Sequence, residues 1–364
     1  MSYPLQNGRS THVDLDLTDS EHPTPANLIG CAAATLDVEL DQQGKQHGHL
    51  CVPTIDGNQG LQQVRIPVCL IRGKQPGPTV LVIAGIHGDE CEGTLTANRL
   101  AREMQAEALA GCLIVIPAAN PQALQAGVRC TPSDGLNMDL AMPGDQRGSI
   151  TRRIAFEIHQ RFILDSDVVI DLRSGGSRLR FVPSAISRVD FNHRSSPADR
   201  ASHEELVIAY GAPNSVRMPL STGVSCLQTA VTASGKTYLQ AELGGGDCYD
   251  ASHLSIAHTG CLNALRHLGM LSDAIELAST RLLEVRNDSF YVYAKHNGLY
   301  RPSAYLGEMV WKDEPMAHIV TSIDTDSVLH SVYPAHNSTL IAAHAGGWVQ
   351  AGELIAVTAD QVQA

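Results

Sequence analysis

The segment Gly85-Ile86-His87-Gly88-Asp89-Glu90-Cys91-Glu92-Gly93 collects the residue types that hydrolytic chemistry uses. An imidazole and a carboxylate three residues apart, His87 and Glu90, can converge on one metal ion across a tight turn. Nitrogen and carboxylate oxygen both suit zinc. Asp89 or Glu92 could orient His87 through its second ring nitrogen. The plainer reading of the same residues is a polar turn in which Asp89 caps a helix. Glu242, just ahead of Gly244-Gly245-Gly246, has the chemistry of a general base for water, and the glycines admit close approach of a ligand. A solvated strand end is its ordinary alternative. Arg129, between Gly127 and Pro132, could stabilise an oxyanion, although its spacing alone favours an exposed arginine.

These residues need elements to hold them. Thr79-Val80-Leu81-Val82-Ile83-Ala84-Gly85 is a continuous apolar run, as expected of a strand covered on both faces. A helical stretch from Thr94 to about Ala108 and a second apolar run, Cys112-Leu113-Ile114-Val115-Ile116-Pro117, complete a βαβ pattern that predicts a parallel sheet. A helix over Thr151–Leu164 leads into a strand over Asp167–Leu172. Another strand is predicted over Thr237–Glu242, and a long helix from Leu254 to Leu271. Polar candidates stand in step at four run ends: His87 with Glu90, Asn120, Asp171 with Arg173, and Glu242. Catalytic groups on such sheets gather beyond the carboxyl ends of the strands.

On either side the pattern changes. Ala34–Leu40 and Val64–Val68 alternate like half-exposed strands. After Arg286 the runs are all short and strand-like: Phe290–Tyr293, Glu308–Trp311 and Thr339–Ala343. The reading is a loose arm over 1–26, an α/β catalytic-type domain over 27–284, and a β-rich domain over 285–364.

Composition narrows the partners. With 26 Lys and Arg against 38 Asp and Glu, the net charge of −12 repels phosphate backbones and anionic lipid. No nucleic acid or membrane partner is expected, and a small molecule is. Met1–Asp41 lacks a basic stretch followed by an apolar one, so no secretory signal is expected. Nine cysteines, scattered and never in a CxxC pair, argue against a disulfide framework and a four-cysteine zinc site, and point to the reducing cytoplasm. The sequence leaves the oligomeric state open, a homo-oligomer included.

Taken in order, these segments resemble the succinylglutamate desuccinylase/aspartoacylase family, deacylases of the zinc carboxypeptidase-like fold. The nearest branch looks like the N-acetyl-diaminobutyrate deacetylases. The likeness runs from Ile66-Pro67-Val68 through Gly85–Gly93, Gly127-Val128-Arg129, Asp134-Gly135-Leu136-Asn137-Met138, Asp171–Gly176 and Ala241-Glu242-Leu243-Gly244, and reaches the tail at Ala345–Glu353. It implies an α/β fold with a mixed, mostly parallel central sheet, flanking helices and a small C-terminal all-β barrel. It also implies zinc on His87 and Glu90, Arg129 as the oxyanion arginine and Glu242 as the general base. The family's third zinc ligand is a histidine, and that position falls on Arg173. The family's Asn-Arg pair, whose arginine grips the substrate carboxylate, falls at Asp139 and Leu140, ahead of Met142-Pro143-Gly144. Arg173, Asn137, Asp139 and Ser174 are the substrate-binding candidates.

Three readings follow. The first is a metal-dependent hydrolase of a small N-acyl amine or amino acid, with His193, His203, His253 or His258 as a replacement zinc ligand, or with water alone. The second is a metal-free enzyme of altered reaction type that uses Glu242 and Arg173, the latter paired with Glu90 or with an anionic substrate. The third is a non-catalytic binding protein on the same scaffold.

Overall fold

The computed structural model of the chain describes residues 33–56, 60–189, 197–221, 223–247, 250–276, 278–322, 324 and 327–362. The expected arm over 1–26 and His193 lie outside them.

The apolar runs form the middle of a 15-stranded mixed sheet. Its main strands are β1 (Gly44–Asp56), β2 (Gly60–Arg72), β3 (Gln75–Ala84), β4 (Ala110–Ile116), β5 (Val168–Arg173), β6 (Leu179–Phe181), β7 (Ser184–Val189), β8 (Asn214–Pro219), β9 (Thr237–Glu242), β10 (Arg281–Glu284), β11 (Ser338–His344) and β12 (Leu354–Gln361). Along the sheet the order is β1-β2-β4-β3-β5-β9-β7-β8-β10-β12-β11, with β6 on the flank of β11. β4, β3, β5 and β9 run parallel, with Val82 opposite both Val115 and Ile170. That arrangement places the carboxyl ends of three site-bearing strands at one rim.

The helices are α1 (Cys91–Glu103), α2 (Pro121–Ala126), α3 (Met138–Ala141), α4 (Ile150–Ile158), α5 (Pro197–Tyr210), α6 (Leu227–Ala233) and α7 (Ala251–His267). They cover both faces. Val80 and Val82 pack with Ala97 and Leu100 of α1 and Cys261 and Leu265 of α7. On the other face Leu81 and Ile83 pack with Ile154 and Ile158 of α4 and with Phe162. Burial on both sides is why β3 reads as an unbroken apolar run.

After β10 (Arg281–Glu284) the described elements are strands, apart from a 3-10 turn at Asp288–Phe290. Strands Gly298–Pro302, Ala317–Val320, Leu329–Val332 and Gly347–Val349 make a separate antiparallel sheet. Tyr300, Ile319, Leu340 and Ile355 share its core with the end of the large sheet. None of the described helices is long and apolar enough to cross a membrane.

Four expectations need correcting. The alternation over Ala34–Leu40 yields only the two-residue strand Thr35–Leu36; beyond it Asp37 and Glu39 are tied to His49 and Gln46 and the chain turns. The first helix ends at Glu103, with a separate 3-10 turn at Ala106–Ala108, because Met104 is already extended. In Glu308–Trp311 only Met309–Val310 pairs. Helix α7 begins three residues before Leu254, where the Asp250 carboxylate accepts from Ser252 N, and ends at His267.

Candidate active site

β3 delivers His87 and Glu90 through a turn that only glycine permits at Gly88, where a Cβ would lie 1.9 Å from the Ala123 carbonyl oxygen. His87 is fully buried. Its Nδ1 lies 2.7 Å from Glu90 Oε1, and its Nε2 lies 2.9 Å from Asn137 Oδ1. The identity of that amide oxygen is fixed locally: it also accepts from Asp139 N at 3.0 Å, capping α3. The group that orients His87 is therefore Asn137. Asp89 instead accepts from Ser177 N and Oγ, and Glu92 from Ser174 Oγ.

Glu90 is held from several sides. Arg129 Nη1 donates to Oε1 at 3.1 Å, and Ser174 N approaches Oε2 at 3.4 Å. Burial works to raise its pKa, but His87, Arg129 and Arg173 together outweigh that and hold the carboxyl well below its usual range.

Arg173 ends β5 and is buried with two carboxylates. Nε donates to Asp171 Oδ2 at 2.7 Å and Nη2 to Asp139 Oδ1 at 2.9 Å. Tyr238 donates its hydroxyl to Asp171 Oδ2, and Leu227 N donates to Asp139 Oδ1. Burial would push the Asp139 carboxyl up; the Arg173 guanidinium dominates and holds it well below the carboxylate range. The Asp139 carboxylate is thus committed inside the protein. So is Asn120, which caps α2 and donates to Thr131 Oγ1.

Glu242 lies directly across from Arg173 in the β5–β9 register. It is 4% exposed. Gln240, two residues back and so on the same face, donates Nε2 to Glu242 Oε1 at 2.7 Å, and Arg188 Nη2 fixes the Gln240 oxygen at 2.9 Å. Glu242 Oε2 is buried and has no hydrogen-bond partner among the described residues. Burial, reinforced by the negative charge of Glu90, pushes the Glu242 pKa up to about 7. Glu242 therefore ends the strand beside Arg173, at the same rim of the sheet that β3 reaches before the His87–Glu90 turn, and the charges of Glu90 and Arg173 both act on it.

Next to this cluster, with Arg129 on its wall, lies a cavity of about 540 Å³ whose lining includes Asp89, Arg129, Ser177, Arg178, Gln350 and Glu353. Residues 350–354 come from the C-terminal β-region, where Glu353 is ion-paired with Arg178. Sequence reading missed Gln240, Arg188 and Glu353. The spacing of two between Gln240 and Glu242 on a predicted strand was the available signal for the first; nothing local marked the others.

The donor set does not fit the three-ligand zinc centre that the resemblance implies. Both nitrogens of His87 face protein oxygens, and the third position is a guanidinium, which has no lone pair to give. His258 lies instead against Glu103, and no group of three His, Cys, Asp or Glu placed to hold a metal occurs among the described residues.

The family model of the succinylglutamate desuccinylase/aspartoacylase catalytic domain matches residues 76–268. An N-alpha-acetyl-L-2,4-diaminobutyric acid deacetylase of Halomonas elongata is 33% identical over 336 residues, covering 91% of this chain and 95% of the relative. Among solved structures, the product-bound ectoine utilization protein EutE (DoeB) from Ruegeria pomeroyi superposes with a TM-score of 0.85 at 30% identity, over 90% of this chain and 98% of that one. A succinylglutamate desuccinylase/aspartoacylase from Rhodobacter sphaeroides gives the same TM-score at 29% identity, over 91% and 100%. Fold and site together define an amide-cleaving hydrolase scaffold. The chain belongs to the succinylglutamate desuccinylase/aspartoacylase family.

Proposed function

We propose that this protein hydrolyses the amide bond of a small N-acyl amine or N-acyl amino acid, with Glu242 as general base and Arg129 as the oxyanion donor. The single observation that carries the reading is Glu242 itself. It is a buried carboxylate with one oxygen held by Gln240 and the other unpartnered among the described residues, beside Arg173. A water at Oε2 gives up a proton to Glu242 as its oxygen bonds to the acyl carbon. The developing oxyanion is met by a guanidinium. The C–N bond then breaks, and the proton on Glu242 passes to the departing nitrogen, giving a carboxylic acid and an amine. No step passes through a metal ion. The 33% identical relative is named as a deacetylase of an N-acetyl amino acid, which supports this substrate class. The seven described cysteines are all free thiols, which supports a cytoplasmic setting.

The test is turnover of a panel of N-acetyl and N-succinyl amines and amino acids, read as released amine, with Glu242→Gln alongside. Turnover lowered by about 10²–10⁴ in the variant is the expected result. Tight binding of a panel member without release of amine by the native protein would replace hydrolysis with a binding role. Such a role is favoured by one observation, the full internal pairing of Glu90 and Asp139.

A further inference from the structure

Two departures from the family pattern, an arginine at the third ligand position and an aspartate in place of the asparagine that precedes the carboxylate-gripping arginine, touch each other. We infer that they are one coupled exchange of charge, in which the Arg173 guanidinium replaces the metal cation and leaves the site built to work without zinc. Arg173 Nη2 meets Asp139 Oδ1 at 2.9 Å, and both side chains are about 5% exposed. Each residue explains the other. Without Arg173, Asp139 would be a buried carboxylate supported only by the Leu227 amide. Without Asp139, Arg173 would press a buried cation against Asp171 alone. A buried charge that loses its partner is strongly destabilising, so neither change stands by itself.

The exchange also accounts for the rest of the cluster. A zinc ion at His87 and Glu90 would have to break the His87–Glu90 contact and displace Arg129 from Glu90 Oε1. It would do so close to a second guanidinium that cannot lose its proton and cannot swing away without stranding Asp139 and Asp171. On this reading Arg129 and Arg173 are the fixed positive charges of the site. Arg173 Nη1 is the one nitrogen of its guanidinium not committed to a carboxylate, and it belongs to the residue in register with Glu242. That places a rigid cation beside the proposed base, where a metal ion would otherwise polarise the acyl oxygen.

The test needs no substrate, so it stands apart from the hydrolysis reading. Elemental analysis of the full-length protein and zinc titration calorimetry are run on the native chain, Arg173→His, Asp139→Asn and the double variant. The native protein should carry well under stoichiometric zinc, and its melting temperature should be unmoved by zinc or chelator. Each single variant should melt below the native protein, and the double variant should recover part of the loss while binding zinc at least tenfold more tightly than the native chain. Stoichiometric zinc in the native protein that is lost in His87→Ala would overturn the inference, as would strictly additive effects of the two substitutions on melting. If the single variants fail to fold, the native metal content alone decides the matter.

Discussion

Gln240 donates its side-chain amide to Glu242 Oε1 from two positions back on the same strand, while Arg188 holds the far end of that amide in place. This relay decides which oxygen of Glu242 is tethered; the other is the one the proposed mechanism assigns to water. It also favours the ionised form of Glu242, offsetting part of the burial that raises its pKa. Replacing Gln240 by Leu removes that donor and should push the Glu242 pKa further up. The acid limb of the kcat/KM profile should then move to higher pH, with KM nearly unchanged. A profile that keeps its midpoint and only loses amplitude would show Gln240 to be packing rather than positioning.

For the native protein, the base is active when ionised, so kcat/KM should rise with pH through about 7. Glu242→Gln should lower kcat by about 10²–10⁴. Its effect on stability has the opposite sign. A carboxyl whose pKa is higher folded than unfolded favours the fold when protonated and opposes it when ionised. The variant should therefore melt higher than the native protein above pH 7, with the gap closing below the ordinary glutamate range. Thermal melts across pH in one buffer series check this, and a variant that is less stable at pH 8 would contradict it.

Arg129 both braces Glu90 and faces the cavity. Arg129→Ala should reduce kcat by about 10²–10³, the usual loss for one oxyanion donor. Arg129→Lys should restore little, because a single ammonium cannot brace Glu90 and reach an oxyanion in the fork geometry of a guanidinium. The comparison is made on kcat with KM measured alongside; a pure KM effect would assign Arg129 to binding.

At the mouth, Glu353 neutralises Arg178. Glu353→Gln should release that guanidinium and lower KM for anionic acyl substrates by about 2–5-fold at low ionic strength, with the advantage shrinking as salt is added. An unchanged KM for an N-succinyl substrate would remove the C-terminal region from substrate selection.

Much of this site could be read in the residue order because its parts are local. The turn at His87 and Glu90 follows a strand so apolar that two-sided burial was evident, and Glu242 precedes a glycine run at another strand end. What escaped was long-range. Asp139 and Arg173 are separated by 34 positions, and nothing near either announces the other. Strands β7 and β8 were missed because Ser184-Ala185-Ile186-Ser187-Arg188-Val189 and Asn214–Pro219 mix polar with apolar residues although nearly all are buried. Two of the polar ones are paired inside the fold: Arg188 Nη2 serves Gln240, and Asn214 reaches the Pro183 carbonyl.

Strand β10 closes against β8 on one side and β12 on the other, and β6 ladders onto β11, so the tail of the polypeptide is woven into the same fabric as the nucleus of the α/β region. Clipping the chain near residue 285 would bare the backbone donors and acceptors of β10 and β6 rather than free a self-sufficient module. Calorimetry of the intact molecule should accordingly register a single cooperative endotherm, and grafting tails between paralogues would demand re-matching two ladders, not joining two beads on a string.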